Sequence, residues 1–179
     1  TELIEVNKED NLRLLKNIKK ESQRMGEMIE QLLMLSRLEN TSSKEQFAKF
    51  NFSELVDSIH GDFCERHSSK KIILTRPDSI KINGDTALIS TAIQNRINNA
   101  LDFSEMDKEI SIDVETDKKR IYLRVTDQGS GIPDYAMDKV FEKFYSLPGP
   151  SNGRKSSGLG LSITQEIAQI HKGSVSLKS

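Results

Sequence analysis

From Asn11 to Leu38 the apolar residues Leu14, Ile18, Met25, Met28, Leu32 and Leu35 recur at alternating four- and three-residue steps, with Glu21 interrupting once. That spacing predicts a long helix, from about Glu9 to Glu39, with a heptad seam along one side. Leu15, Ile29 and Leu38 widen the stripe beyond what a two-stranded seam needs. The helix is therefore expected to pack in a bundle, half of which comes from elsewhere.

The periodicity stops at Asn40, Thr41, Ser42 and Ser43, which are turn and cap formers. The alternation Phe47, Lys49, Phe50, Phe52 then predicts a strand, and Ser53 with Asp57 downstream opens an amphipathic helix through Leu55, Ile59 and Phe63. Strand-like segments follow at Ile72 to Thr75 and Ile80 to Ile82. Leu88, Ile89, Ala92, Ile93, Ile97, Ala100 and Leu101 place a broad apolar face on a helix from about Thr86 to Phe103. Ile110 to Val114 and Ile121 to Val125, joined by Asp117, Lys118 and Lys119, read as a hairpin. Beyond it come a short helical stretch to Tyr145, a Pro-, Gly- and Ser-rich segment from Ser146 to Ser157, a helix through Ile170 and a strand from Ser174 to Leu177. Helices on one side and a mostly antiparallel sheet on the other make an α+β two-layer sandwich preceded by the long helix.

Composition narrows the function. Lys and Arg total 26 against 27 Asp and Glu, a formal charge of −1, so no global field draws nucleic acid or an anionic membrane. Cys64 is the only cysteine, which excludes an internal disulfide and a thiolate zinc cluster. No apolar run approaches the roughly 20 residues of a membrane-spanning helix.

Three groups of residues carry chemistry. Asp127-Gln128-Gly129-Ser130-Gly131-Ile132-Pro133 ends a strand in a turn on two glycines. A carboxylate fixed there can accept a hydrogen bond from an exocyclic amine and so select adenine over guanine; an ordinary strand-ending turn has the same letters. Ser157-Gly158-Leu159-Gly160-Leu161-Ser162-Ile163 puts glycines just before a helix, whose free N–H groups and positive end suit phosphates, although small residues also serve caps and tight packing. Asn95 and Asn99 lie one turn apart on a largely apolar helix, where an amide oxygen can ligate Mg²⁺ or simply meet solvent.

The order of these groups, with Phe141-Glu142-Lys143-Phe144-Tyr145 between the second turn and the last helix, resembles the N, G1, F and G2 boxes of the GHKL (Bergerat-type) ATPases of bacterial sensor histidine kinases. Gly129 to Ala136, Phe144 to Pro148 and Lys155 to Gly158 extend the resemblance to the CreC-like branch. The resemblance implies ATP and Mg²⁺ as cofactors, with Asn99 as the metal ligand supported by Asn95, Asp127 on the adenine amine and Phe103 on the adenine ring. It implies further that Gly129, Gly131, Ile132, Tyr145, Gly158, Leu159, Gly160 and Leu161 shape the pocket, that 146–157 is an ATP lid from which Arg154 and Lys155 reach phosphate oxygens, and that Lys143 assists catalysis.

On this reading residues 1–43 are the second helix of a dimerisation stalk and 44–179 the catalytic domain, expected to lack its last strand. The intact protein would be a homodimer through the stalk, the cytoplasmic portion of an inner-membrane kinase joined to the membrane only by other segments, with a response regulator as partner and no nucleic acid. The chain departs from the pattern at Asp102, where many members carry lysine, at Arg96, which replaces an apolar residue, and at Ser156, which replaces a glycine. His60, His67 and His171 lack the acidic residue and proline that follow the family's phosphoacceptor, so the acceptor is expected to lie outside these residues. A nucleotide-binding regulatory or dimerisation module with impaired catalysis is the alternative that these departures leave open.

Overall fold

The computed structural model describes residues 8–40, 47–105, 107–117, 119–147 and 156–179. Helix α1, Lys8–Asn40, covers the predicted heptad stretch in one piece. Its N-terminal two-thirds exposes Leu14, Ile18, Met25 and Ile29, whereas Leu35 and Leu38 at its end are buried. Among the described residues the seam is buried only in its last two turns, with Met28 half-buried before them. The capping residues Thr41 to Ser43 lie outside the described residues.

Strand β1, Ala48–Asn51, leads straight into helix α2, Phe52–Arg66. The sequence reading opened that helix at Ser53, but the cap is Asn51, whose Oδ1 accepts the Ser53 N–H at 3.1 Å while its Nδ2 donates to Glu54 at 2.8 Å. Ser53 is instead buried inside the first turn and donates to the Pro77 carbonyl at 3.1 Å. Arg76 forms a two-pronged ion pair with Asp57, fixing α2 to the connection between strand β2, Ile72–Thr75, and strand β3, Lys81–Gly84.

Helix α3, Thr86–Phe103, agrees with the predicted limits and starts on Asp85, whose Oδ1 accepts the Ala87 and Leu88 N–H groups at 2.9 and 3.1 Å. Strands β4, Ile110–Thr116, and β5, Ile121–Thr126, form the predicted hairpin. Asp117 closes it by accepting the Lys119 and Arg120 N–H groups, each at 2.7 Å; Lys118 lies outside the described residues. Those backbone bonds hold the Asp117 carboxyl below the usual carboxylate range. A short helix α4, Asp134–Met137, and helix α5, Gly160–Ile170, complete the regular elements among the described residues.

The described strands form two sheets rather than one. β1 pairs antiparallel with β3, and the other sheet runs β2-β4-β5. β4 is antiparallel to β5 but parallel to β2, a pairing that needs a crossover, which α3 supplies. Ser174 to Leu177, expected as a strand, has no strand assignment. Alternating apolar residues define a face but not a pairing partner; the tail's tie to the body is the Ile132 N–H donating to Ser179 Oγ at 2.7 Å.

The breadth of the α3 stripe is explained by two apolar neighbours. Ile93 and Ile97 pack with Phe52, Val56, Ile59 and Phe63 of α2 and with Ile72, Ile112 and Val114 of the sheet. Leu88 and Ala92, a step around the helix, pack into a second cluster formed by Leu35 and Leu38 of α1 and Leu159, Ile163 and Ile167 of α5. α3 therefore stands between the sheet layer and the α1–α5 pair.

Candidate functional site

The residues singled out for chemistry converge on the second half of α3. Asn95 Nδ2 donates to the Gly160 carbonyl at 3.4 Å, so the entry of α5 lies against the asparagine face. Two turns further on, a Cβ added to Gly129 would come within 2.3 Å of the Phe103 carbonyl oxygen, which shows how closely the turn after β5 sits on the last turn of α3. In that turn Asp127 Oδ1 accepts the Gly129 N–H at 2.9 Å, and the carboxylate is exposed. Asn95 and Phe103 are eight residues apart, about 12 Å along the helix. The carboxylate-bearing turn and the glycine helix entry thus meet one helix, with half-buried Asn99 between their contact points.

The helix entry is braced from a third side. Gly158 has φ +69°, and a Cβ there would lie 2.5 Å from the Phe144 carbonyl carbon and 2.7 Å from the Tyr145 oxygen. The Phe144 N–H donates to the Gly158 carbonyl at 2.9 Å, and Phe144 itself takes φ 67°, rare for an aromatic residue. Ser146 and Ser156 hydroxyls meet at 3.0 Å. The two ends of the expected lid are thereby joined, while Arg154 and Lys155 lie outside the described residues. α5 begins with no side-chain cap, at Leu159. Ser157 Oγ accepts the Leu159 N–H at 3.3 Å and donates to Gln31 of α1 at 2.7 Å, linking the helix entry to the long helix.

Not every candidate side chain faces this region. Leu159 is fully buried in the α1–α5 cluster, so any contact it makes with a ligand falls to its backbone. A Cβ on Gly131, φ +73°, would meet Ser179 Oγ at 2.4 Å, placing Gly131 and Ile132 beside the chain's last residue. Lys143 is exposed on the turn before Phe144, and Tyr145 and Leu161 are half-buried. Hollows of about 510 Å³ beside Asp117 and Tyr122 and of about 400 Å³ beside Phe47 and His171 lie elsewhere. Among the described residues no group of three or more His, Cys, Asp or Glu side chains is placed to hold a metal ion.

The departures in sequence have physical consequences. Arg96 is half-buried; burial lowers its guanidinium pKa, and the attraction of Asp127 opposes that shift. The guanidinium remains charged and contributes positive potential at the carboxylate turn. Asp102 keeps an exposed surface, yet the protein crowded around its carboxyl removes enough solvent to raise its pKa. A carboxyl raised on folding contributes its full stability below the unfolded value of about 3.9 and loses it as pH rises through the folded value. Asp102→Asn is therefore expected to raise the melting temperature at pH 7, with the difference from wild type vanishing near pH 3. Thermal melts across that range check it; an equal shift at both ends would place the effect outside ionisation.

Two residues escaped the sequence reading. Asp85 caps α3, and an Asp just before Thr86-Ala87-Leu88 was a legible signal. Gln31 carried no signal, because its role depends on how α1 docks.

A mixed two-layer fold in which an asparagine helix meets an Asp-x-Gly-x-Gly turn and a glycine helix entry defines an ATP-binding domain of the GHKL class. Residues 84–179 match the family described as histidine kinase-, DNA gyrase B- and HSP90-like ATPases, and the chain belongs to it. Within that family it is the ATP-binding catalytic domain of a sensor histidine kinase. It is 37% identical over 168 residues to the sensor protein CreC of Escherichia coli, covering 93% of this chain and 35% of that protein. The chain thus spans about a third of that relative's length. The mycobacterial sensor histidine kinase MprB superposes with a TM-score of 0.60 at 26% identity, covering 70% of this chain and 80% of that one. The fold also matches histidine kinase ThkA, solved in complex with the response regulator protein TrrA, with a TM-score of 0.71 at 20% identity over 94% of this chain and 47% of the other.

Proposed function

We propose that this chain binds ATP with Mg²⁺ along the second half of α3, and that the intact protein transfers the γ-phosphoryl group to a stalk histidine and thence to a response-regulator aspartate. The observation that carries the reading is the meeting of the Asp127 turn, the Asn95 face and the Gly160 helix entry on one helix. Asp127, oriented by the Gly129 N–H, accepts from the adenine amine, and Phe103 lies beside the ring. The uncapped start of α5 receives the phosphates through backbone N–H groups. The resemblance assigns Arg154 and Lys155, which lie outside the described residues, to the phosphate oxygens.

Mg²⁺ needs few protein ligands because it keeps waters and phosphate oxygens, and the amide oxygen of half-buried Asn99, supported by Asn95, is a hard donor of the required kind. When bound it would neutralise phosphate charge. The residues' own part is positioning: they hold the nucleotide with its terminal phosphate outward while the acceptor imidazole attacks in line, a P–N bond forming as the bond to the β-phosphate breaks and ADP leaves.

The acceptor is proposed to lie on a helix outside these residues, since the three histidines here have other partners. His60 meets the Ile72 carbonyl at 3.0 Å, His67 ends α2 and stacks on Phe63, and His171 bonds to Asp85. Residues 1–43 form the stalk half and 44–179 the catalytic domain in this reading. The exposed Leu14, Ile18, Met25 and Ile29 stripe supports pairing with the missing half-bundle in a homodimer. No described helix is long and apolar enough to cross a membrane, so membrane attachment is assigned to other segments. The fold shared with ThkA supports a response regulator as partner.

Titration of the chain with a non-hydrolysable ATP analogue, with Mg²⁺ and with chelator, tests the site. Wild type is expected to bind more tightly with Mg²⁺. Asn99→Ala should weaken binding roughly ten- to a hundredfold with Mg²⁺ and little with chelator, as expected when a metal's ligand set is damaged. Identical isotherms for wild type and Asn99→Ala in both buffers would remove Asn99 from the metal site.

A further inference from the structure

The two helices that bear the site are joined at both ends. Near the site the bond is Asn95 to the Gly160 carbonyl. At the far end the imidazole of His171, just after the last turn of α5, accepts the backbone N–H of Asp85 through Nε2 at 3.0 Å, and its Nδ1 meets the Ile167 carbonyl at 2.8 Å. An amide N–H can only donate and a carbonyl can only accept, so these partners assign the neutral tautomer with the proton on Nδ1.

The distances match. Asp85 to Asn95 is ten residues along α3 and Gly160 to His171 eleven along α5, about 15 and 16 Å of helix running in opposite directions. Between the two joints the contact is apolar, with Leu88 and Ala92 of α3 against Ile163 and Ile167 of α5. Dispersion and burial have little directionality, so such a contact resists separation better than it resists sliding. The His171 bond supplies the missing direction. Its donor belongs to a buried residue, so losing the acceptor leaves a buried N–H unpaired.

The imidazole is itself held from several sides. Its face stacks on Phe47 at 4.7 Å with 9° between planes. A Cβ on Gly84 would lie 2.9 Å from its Cδ2, so a side chain there would push the ring away. The Gly173 N–H donates to the Ala168 carbonyl at 2.7 Å and Lys172 takes φ 58°, closing α5 in a left-handed turn that fixes where His171 emerges. Phe47, Asp85 and the end of α5 are thereby held in one joint.

We infer that His171 is a positioning residue for the nucleotide site: by accepting the Asp85 N–H it sets the axial register of α5 on α3, and so places the Gly160 entry relative to Asn95 and Asn99. The inference rests on the proposed nucleotide site. A displacement of about 1 Å in a site of this kind is enough to matter, far less than the 5.4 Å of a full turn.

The test uses the whole chain in three forms: wild type, His171→Phe, which keeps an aromatic ring against Phe47 but no acceptor, and His171→Gln, which restores an acceptor without the ring. The affinity for a non-hydrolysable ATP analogue with Mg²⁺ is measured well below each melting temperature, which is recorded separately. Expected is binding about tenfold weaker for His171→Phe, and recovery to within about threefold of wild type for His171→Gln even if it melts lower. Binding by His171→Phe equal to wild type, or equal loss in both variants, would overturn the inference.

If His171→Phe does not fold, amide exchange in wild type decides. By reciprocity a joint that favours the ligand must be favoured by it, so the analogue should slow exchange of the Asp85 N–H more than that of Ile110, which is bonded to the Lys71 carbonyl. Equal slowing would count against the joint. Failure of wild type to bind the analogue at all would instead strike the proposed function.

Discussion

Gly158→Ala is expected to cost the protein about 3 kcal/mol of stability and to abolish detectable nucleotide binding. Two independent terms act at this position. The backbone has φ +69°, where an L side chain pays roughly 1–2 kcal/mol. A methyl group would also meet the Phe144 carbonyl carbon at 2.5 Å and the Tyr145 oxygen at 2.7 Å, which are backbone atoms with no rotamer to change, so one strand of the contact must move at a further cost of roughly 1–3 kcal/mol. The move would break the Phe144 N–H bond to the Gly158 carbonyl, which joins the two sides of the 146–157 segment. For a chain of this size the melting temperature should fall by about 6 to 12 °C. Gly26→Ala and Gly61→Ala serve as controls: both lie inside helices with open space around them, so alanine there should stabilise by up to about 1 kcal/mol. If Gly158→Ala melts with the controls and still binds nucleotide, the contact between this glycine and Phe144 does not shape the site.

The parts of the site that sequence made legible are those where a local chemical need selects the residue. Gly158 and Gly131 stand at positive φ, and Asp127 closes its own turn on Gly129. The long helices were legible because α1 and α3 bury or present periodic faces. What stayed hidden depends on partners distant in sequence. Ser53 looked like a cap, but a serine within reach of Pro77 can donate there instead, and Asn51, one residue before the helix, took the capping role. The Ser174 to Leu177 alternation resembled a strand, yet no sequence pattern contains the neighbouring edge that would make it one. His171 follows directly on the helix expected through Ile170 and caps its end, but its bond to Asp85 spans 86 residues. The same limit applies to Gln31 and Ser157, whose contact ties the long helix to the entry of α5 over 126 residues.

Asp127→Asn should leave the fold nearly intact while weakening adenine nucleotide binding by roughly a hundredfold or more. Asparagine is the same size, and its Oδ1 can still accept the Gly129 N–H, so the turn keeps its closing bond. What changes is the second position: the oxygen proposed to accept from the exocyclic amine of adenine becomes an NH₂ group, and two donors would then face each other. The negative charge beside Arg96 also disappears, leaving the half-buried guanidinium without the attraction that offsets its burial. Guanine carries a carbonyl where adenine carries its amine, so the variant should lose less affinity for a guanine nucleotide than for ATP, and the ratio of the two affinities should move toward guanine. Competition between ATP and GTP analogues, read against an unchanged melting temperature, isolates base recognition from stability. A variant that binds ATP as wild type does, with the ratio unmoved, would mean that the base lies away from Asp127 and that the turn on α3 serves the fold alone.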